Sequence, residues 1–255
     1  MNAWEIIKRL FVVHKCASCR KILGIDEYEQ ALCRDCTLAY QRAKTENCPD
    51  CLRAAFECTC QPRLLTTSGS LCMRKLFFYH PNKDKEPQNR LIYSLKRHPR
   101  MRATYLVAKE LYSLVFGELC EIIERCESFS DAVAVVSVPR TKRAVLEYGF
   151  DQAVDISEVL ADMMGVPYVP VIKRRAGGRE QKKLSAAERR KNMKDSMFAD
   201  PKYIDAVKGR YIVLVDDVVT TGSSMEACLK ILRKMGVRGV ICCCLAADAN
   251  KKSRR

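Results

Sequence analysis

The sequence predicts an α/β protein, a parallel sheet flanked by helices with a small cysteine-rich module in front of it. Three observations carry that expectation. Apolar runs suited to strands buried on both faces, at 131–139, 211–215 and 239–247, alternate with segments of helical periodicity. The run from Tyr211 to Val215 meets two carboxylates, Asp216 and Asp217, then a loop of hydroxyls and glycine, Thr220-Thr221-Gly222-Ser223-Ser224, before a helix starts. Eight of the fifteen cysteines lie in pairs between residues 16 and 60.

From the start of the chain, Trp4, Ile7, Leu10 and Phe11 fit a short amphipathic helix packing on the cysteine-rich segment after it, with a membrane-surface role as the alternative. Glu5, Lys8 and Arg9 interrupt its apolar pattern, so no secretion signal is expected, and no apolar run reaches the length of a membrane span. The expected location is cytoplasmic, with a peripheral place at the inner membrane left open.

The cysteines come next, as Cys16-x-x-Cys19, Cys33-x-x-Cys36, Cys48-x-x-Cys51 and Cys58-x-Cys60. Paired thiolates suit a tetrahedral Zn²⁺, and in a chain without a secretion signal metal binding outranks a disulfide framework. One zinc is expected on the first four cysteines. A second is expected on the last four, where the shorter gap between Cys58 and Cys60 leaves an interleaved pairing open. A segment of about fifty residues needs such a staple to fold. It offers no long basic recognition helix and no histidine ligands of the kind that read DNA. His14, His80 and His98 carry no catalytic expectation, and Cys72, Cys120, Cys126, Cys228 and Cys242–Cys244 read as core.

Beyond residue 62 the pattern becomes that of a sheet. Ser70–Tyr79 reads as a strand, 81–87 as a charged break, 88–99 as a short helix, and 101–126 as a long one with Leu106, Leu111, Leu114, Val115 and Leu119 on its apolar side. The strand at 131–139 runs into Pro139-Arg140-Thr141-Lys142-Arg143, a basic loop at a carboxyl end, suited to a pyrophosphate or simply to solvent. A helix at 152–164 and a strand at 168–172 come after it. The basic, glycine-containing stretch 173–183 fits a closing loop or an exposed nucleic-acid-binding one, and Ser185-Ala-Ala-Glu188 is a capping box. Asn250–Arg255 reads as a basic tail.

The loop after residue 215 has the chemistry of a phosphate cradle. Gly222 permits close backbone approach, and the free N–H groups of a helix start converge beside the hydroxyls of Thr220, Thr221, Ser223 and Ser224. Two carboxylates would repel that anion unless they face a sugar diol, with or without Mg²⁺. A ribose 5-phosphate satisfies both halves. A capped turn with solvated aspartates explains either half alone.

The segment 211–225 resembles the PRPP-binding motif of type I phosphoribosyltransferases. The wider chain resembles the ComF family of competence proteins, which joins a zinc-ribbon-like module to such a domain. Val138-Pro139 through Gly149-Phe150-Asp151-Gln152-Ala153 is similar to that family's pyrophosphate loop, although Asp151 stands where Asn is commoner. Leu95-Lys96 is similar to its leader, and Gln181, Leu184, Glu188, Arg189 and Asn192 to its lid. The resemblance implies a type I phosphoribosyltransferase-like sheet, with residues 1–62 as zinc module, 63–249 as transferase-like domain and 250–255 as tail. It implies PRPP with Mg²⁺ as ligand, a role in natural transformation, and single-stranded DNA and the uptake machinery as partners. Asp216 and Asp217 would then be the catalytic pair, with Pro139, Arg140 and Lys142 meeting the pyrophosphate.

Composition bounds these readings. The chain has 255 residues, 48% of them apolar, which excludes a disordered protein, and a net charge of +15, which favours anionic partners. Aromatics make up only 7% and do not interleave with the basic residues, so no stacking platform for single strands is evident. Phosphoribosyl transfer to or from a nitrogen acceptor is the first reading, with no nucleobase-recognition element to name the acceptor. A non-catalytic nucleotide-sensing, DNA-binding or translocation-partner module on the same fold is the alternative.

Overall fold

The computed structural model describes residues 13–81, 86–97, 101–123, 128–140, 145, 151–175 and 196–248. The cysteine-rich part contains α1 (Arg34–Lys44), and α2 (Arg63–Thr67) comes after it. Then come β1 (Cys72–Tyr79), α3 (Pro87–Arg97), α4 (Met101–Ile122), the single turn α5 (Phe129–Ala132), β2 (Val133–Ser137) and α6 (Gln152–Met164). A small ribbon of β3 (Ile172–Arg174) and β4 (Met197–Ala199) precedes β5 (Tyr211–Val219), α7 (Ser223–Lys234) and β6 (Gly239–Asp248).

The main sheet has the order β1-β6-β5-β2 and every pairing in it is parallel. Its inner strands are buried on both faces, as continuous apolar runs require. One face packs on α4 and α6 through Leu111, Val115, Leu119, Ile156 and Leu160. The other packs on α7 through Met225, Cys228, Leu229 and Leu232, the four residues that share one helical face in the sequence. Gly236, at φ 76°, takes the left-handed conformation beyond the end of α7.

The expected strand over 168–172 divides in two. Tyr168 forms a single parallel bridge to Val135, with the Val135 N–H donating to the Pro167 carbonyl at 2.9 Å and the Val169 N–H to the Val135 carbonyl at 2.8 Å. Pro167 and Pro170 flank this bridge and lack the N–H groups a longer ladder needs. The true strand begins at Ile172 and pairs antiparallel with β4. Cys120 is also not core: it sits on the exposed side of α4, beside buried Leu119. Residues 1–12, the stretch 176–195 with its capping box and lid residues, His98, Cys126 and the tail lie outside the described residues.

The cysteine-rich segment is built on two similar knuckles. In each, the N–H of the first cysteine bonds a carbonyl five residues on, Cys16 to Lys21 and Cys48 to Arg53, both at 2.8 Å. A short bridge closes each hairpin, Lys15 with Ile22 and Asn47 with Ala54. The residue after the second cysteine is left-handed in both, Arg20 at φ 69° and Leu52 at φ 62°. The first knuckle and α1 share a continuous apolar core with the α4 face of the sheet, where the rings of Tyr40 and Phe77 meet edge to face at 5.8 Å. The second packs Cys48, Ala55 and Cys58 on Phe78 of β1. His14 lies against the ring of Tyr28, and His80 pairs with Glu46 at 2.9 Å.

A left-handed backbone costs a β-carbon-bearing residue roughly 1–2 kcal/mol, which glycine avoids at an entropic cost of about 0.5–1 kcal/mol. Leu52 is 74% exposed and gives up little packing on truncation. Leu52→Gly is expected to stabilise the protein by about 0.5 kcal/mol, read as a small rise in the thermal midpoint.

Candidate functional site

Parallel pairing decides what meets at the carboxyl edge of the sheet. Ser137 of β2 stands opposite Val215 of β5, and the Val138 N–H donates to the Val215 carbonyl at 2.8 Å. Beyond this pairing β2 runs into Pro139-Arg140, while β5 continues through Asp216 and Asp217, paired with β6, as far as Val219. Arg140 Nη2 donates to Asp217 Oδ2 at 3.0 Å, with both side chains largely shielded from solvent. Arg140 Nη1 is buried and has no hydrogen-bond partner among the described residues. The Asp217 N–H donates to Asp216 Oδ1 at 2.8 Å and the Val218 N–H to Asp217 Oδ1 at 2.7 Å, so each carboxylate is braced by the next residue's amide.

Asp151 supports the basic side. One carboxylate oxygen accepts from the Arg140 N–H at 3.3 Å and the other from the Ala153 N–H at 3.1 Å, which caps α6. A carboxylate can accept at both oxygens, whereas an asparagine has only one acceptor oxygen in its amide, and this settles the hydrogen bonding at that position. Burial pushes the Asp151 carboxyl up from its usual range, with the Arg140 amide and guanidinium and the Ala153 amide pulling it back. Gln152, beside it, is buried and both atoms of its amide lack a partner among the described residues. Lys142 lies outside the described residues.

On the other side, β5 turns into α7 through Gly222, left-handed at φ 78°. The hydroxyls of Thr221 and Ser223 lie 2.8 Å apart, and the Ser223 N–H donates to Thr221 Oγ1 at 3.3 Å. Asp216 and residues 218–225 line a small cleft of about 80 Å³ at the start of this twelve-residue helix. The N–H groups at the helix start, the hydroxyls and the positive end of the helix dipole can hold an anion there. The expected residues Asp216, Thr220, Thr221, Gly222, Ser223 and Ser224 are thus brought together, while Asp217 faces Arg140.

Sequence reasoning missed the place of one cation of this region, Arg174, which it put in the basic closing loop 173–183 and which lies on β3. Burial pushes the Arg174 guanidinium, on β3, down from its usual value, while the fields of Cys228 and Asp216 restore part of it. In the sequence Arg174 is one of a run of basic residues, and only the short β3–β4 ribbon separates it from the exposed ones.

The paired cysteines form two clusters in chain order, Cys16, Cys19, Cys33 and Cys36 in one and Cys48, Cys51, Cys58 and Cys60 in the other. The interleaved alternative does not occur. Within each cluster the sulfurs lie within 4.8 Å of one another, with Cys19 to Cys33 and Cys51 to Cys58 both at 3.6 Å. A tetrahedral zinc with bonds of about 2.3 Å puts its sulfurs roughly 3.8 Å apart, so both clusters fit that ion. Burial raises the Cys51 thiol, but the Arg53 backbone and the thiols of Cys58, Cys60 and Cys48 outweigh it and bring Cys51 to about 7. A second missed residue belongs here: Lys75 of β1 is 2% exposed and its Nζ donates to the carbonyls of Cys58 and Cys60, both at 3.0 Å.

Residues 144–255 match the family described as "Phosphoribosyl transferase domain". The chain is 33% identical over 108 residues to Competence protein F of Haemophilus influenzae, covering 42% of this chain and about half, 47%, of that protein. It is 23% identical over 216 residues to Competence protein ComFC of Streptococcus pneumoniae, covering 83% of this chain and 86% of the relative. It is 28% identical over 242 residues to DNA utilization protein YhgH of Salmonella typhimurium, covering 90% and 95%.

The parallel sheet flanked by helices is that of a phosphoribosyltransferase-like domain, in line with the family match over residues 144–255. With the cysteine clusters in front of it, the chain is similar to competence and DNA utilization proteins over most of its length. Among the described residues no helix is long and apolar enough to cross a membrane.

Purified protein is expected to carry two equivalents of zinc by elemental analysis, falling to one in Cys36→Ser and to one in Cys58→Ser. Retention of both equivalents in either variant removes that cluster from the metal-binding set.

Proposed function

We propose that this protein binds PRPP or a related ribose 5-phosphate ligand at the carboxyl edge of its sheet and transfers the phosphoribosyl group to or from a nitrogen acceptor. One observation carries the reading. Arg140 lies within hydrogen-bond distance of Asp217, its second terminal nitrogen is buried with no partner among the described residues, and Asp216, the residue before Asp217, lines the cleft at a helix start suited to phosphate. A buried guanidinium nitrogen without a partner is costly, and an anionic ligand group removes that cost.

In this reading Thr220 to Ser224 hold the 5-phosphate, Asp216 and Asp217 orient the ribose hydroxyls, and Arg140 with Pro139 and Lys142 meets the pyrophosphate. Arg140 then exchanges part of its contact with Asp217 for the ligand. Mg²⁺, when bound with PRPP, would offset the pyrophosphate charge. The protein's own share is to hold C1 of the ribose in line between leaving pyrophosphate and acceptor and to stabilise oxocarbenium-like charge through the paired carboxylates. Residues 1–62 serve as the zinc module, 63–249 as the ligand domain and 250–255 as a basic tail.

The names of the relatives favour an additional role. Two are competence proteins and one a DNA utilization protein, so we link this site to the handling of incoming DNA. The non-catalytic reading keeps the same ligand site as a sensor and uses the net charge of +15 to engage DNA or a translocation partner.

Calorimetric titration with PRPP and Mg²⁺ is expected to give saturable binding, weakened at least about tenfold in Asp217→Asn, whose loss of charge removes a strong acceptor from the ribose. Absence of binding by the unaltered protein overturns the transferase reading. If DNA binding is intrinsic, affinity for a single-stranded oligonucleotide falls several-fold or more between about 50 and 200 mM salt. A flat salt response in a fluorescence titration counts against it.

A further inference from the structure

The second cysteine cluster stands directly behind the phosphate-type loop. From Cys60 the chain runs through Gln61 and Pro62 into α2, and this segment packs against the turn between β5 and α7. A Cβ on Gly222 would lie 3.3 Å from the ring carbons Cβ and Cγ of Pro62 and 3.4 Å from Leu65 Cγ. Leu65 is fully buried in the same core as Met225 and Leu229 of α7. The space left between cluster and loop is about 40 Å³, bordered by Cys48, Cys60, Pro62, Lys75, Thr220 and Asp248. A single water takes about 10–15 Å³ on that measure, so the two parts are separated by a few waters at most.

Lys75 ties the cluster to the sheet. Its ammonium group is buried, donates to the carbonyls of Cys58 and Cys60, and borders the same small cavity as Asp50 and Asp248. A buried ammonium needs a counter-charge. Four thiolates around Zn²⁺ carry a net charge of minus two, and they sit on the chain segment that Lys75 grips.

We propose that metal held by Cys48, Cys51, Cys58 and Cys60 sets the shape of the Thr220–Ser224 loop, with Lys75, Pro62 and Leu65 as the positioning residues that transmit it. Without the metal, Cys58 and Cys60 lose their common anchor, Lys75 loses the anionic cluster beside it, and Pro62 is no longer held against Gly222. The first cluster does not act in this way, because it packs in the core on the α4 face of the sheet. The effect on ligand affinity rests on the ribose-phosphate reading. The mechanical link does not.

The test uses the full-length, zinc-loaded protein and three variants: Cys58→Ser with Cys60→Ser, Pro62→Gly, and Cys16→Ser with Cys19→Ser as the control. Zinc content, amide hydrogen exchange at 220–225 and affinity for ribose 5-phosphate are measured on each. The second-cluster variant is expected to lose one zinc, to exchange about tenfold faster at 220–225 and to bind ribose 5-phosphate about tenfold more weakly. Pro62→Gly keeps both zincs and speeds exchange there about threefold, which decides the matter if the cysteine variant fails to fold. The control loses the other zinc with exchange at 220–225 unchanged. Unchanged exchange in the folded second-cluster variant, or in Pro62→Gly, overturns the proposal, as does an equal rise in the control. If the unaltered protein does not bind ribose 5-phosphate, the functional reading fails while the exchange results still decide the link.

Discussion

The parallel register between β2 and β5 is the constraint on which the site depends. It fixes Ser137 opposite Val215, and from that pairing the positions of Arg140 and Asp217 follow. Neither residue has a short-range reason to find the other, being 77 residues apart. Their strands are neighbours, and just beyond the last pair of the β2–β5 ladder one chain reaches Arg140 and the other Asp217. Asp151 then fixes the backbone of Arg140 from the start of α6, so three elements converge on one ion pair.

Much of this is legible in the sequence, for physical reasons that differ from element to element. The run 211–215 and the helix after it stand out because burial on two faces and burial on one face leave different periodicities, although β5 carries on through the acidic pair to Val219. The helix at 152–164 is predicted with its observed boundaries because Asp151 caps one end and Gly165 stands at the other. The ladder at 168–172 is overextended in the sequence reading, since its apolar residues look like a strand while two prolines withdraw the donors. Cys120 reads as core because cysteine resembles a small apolar residue, although it lies on the solvent side of α4.

The candidate site divides in the same way. The phosphate-type loop is a local feature, and its residues stand together in the sequence. The Arg140–Asp217 contact is a product of tertiary pairing and leaves no local trace. Lys75 is the clearest case. In Met73-Arg-Lys-Leu-Phe-Phe78 it reads as a solvent-facing residue of a strand, and it is buried because the second cysteine knuckle covers that part of β1. The order of the cysteine clusters, by contrast, is legible from the sequence: the first four and the last four group as expected, and only the interleaved alternative drops out.

The single bridge between Tyr168 and Val135 has a consequence for how the molecule meets its neighbours. An outer strand with free amides is a template on which a strand from another chain can grow. Here the segment beside β2 is interrupted by Pro167 and Pro170, and the backbone then turns away into the β3–β4 ribbon. That side of the sheet cannot be lengthened by edge-to-edge addition. A chain rich in buried valine, isoleucine and cysteine strands is thereby guarded on this flank against self-templated aggregation, and recognition there must run through side chains and charge.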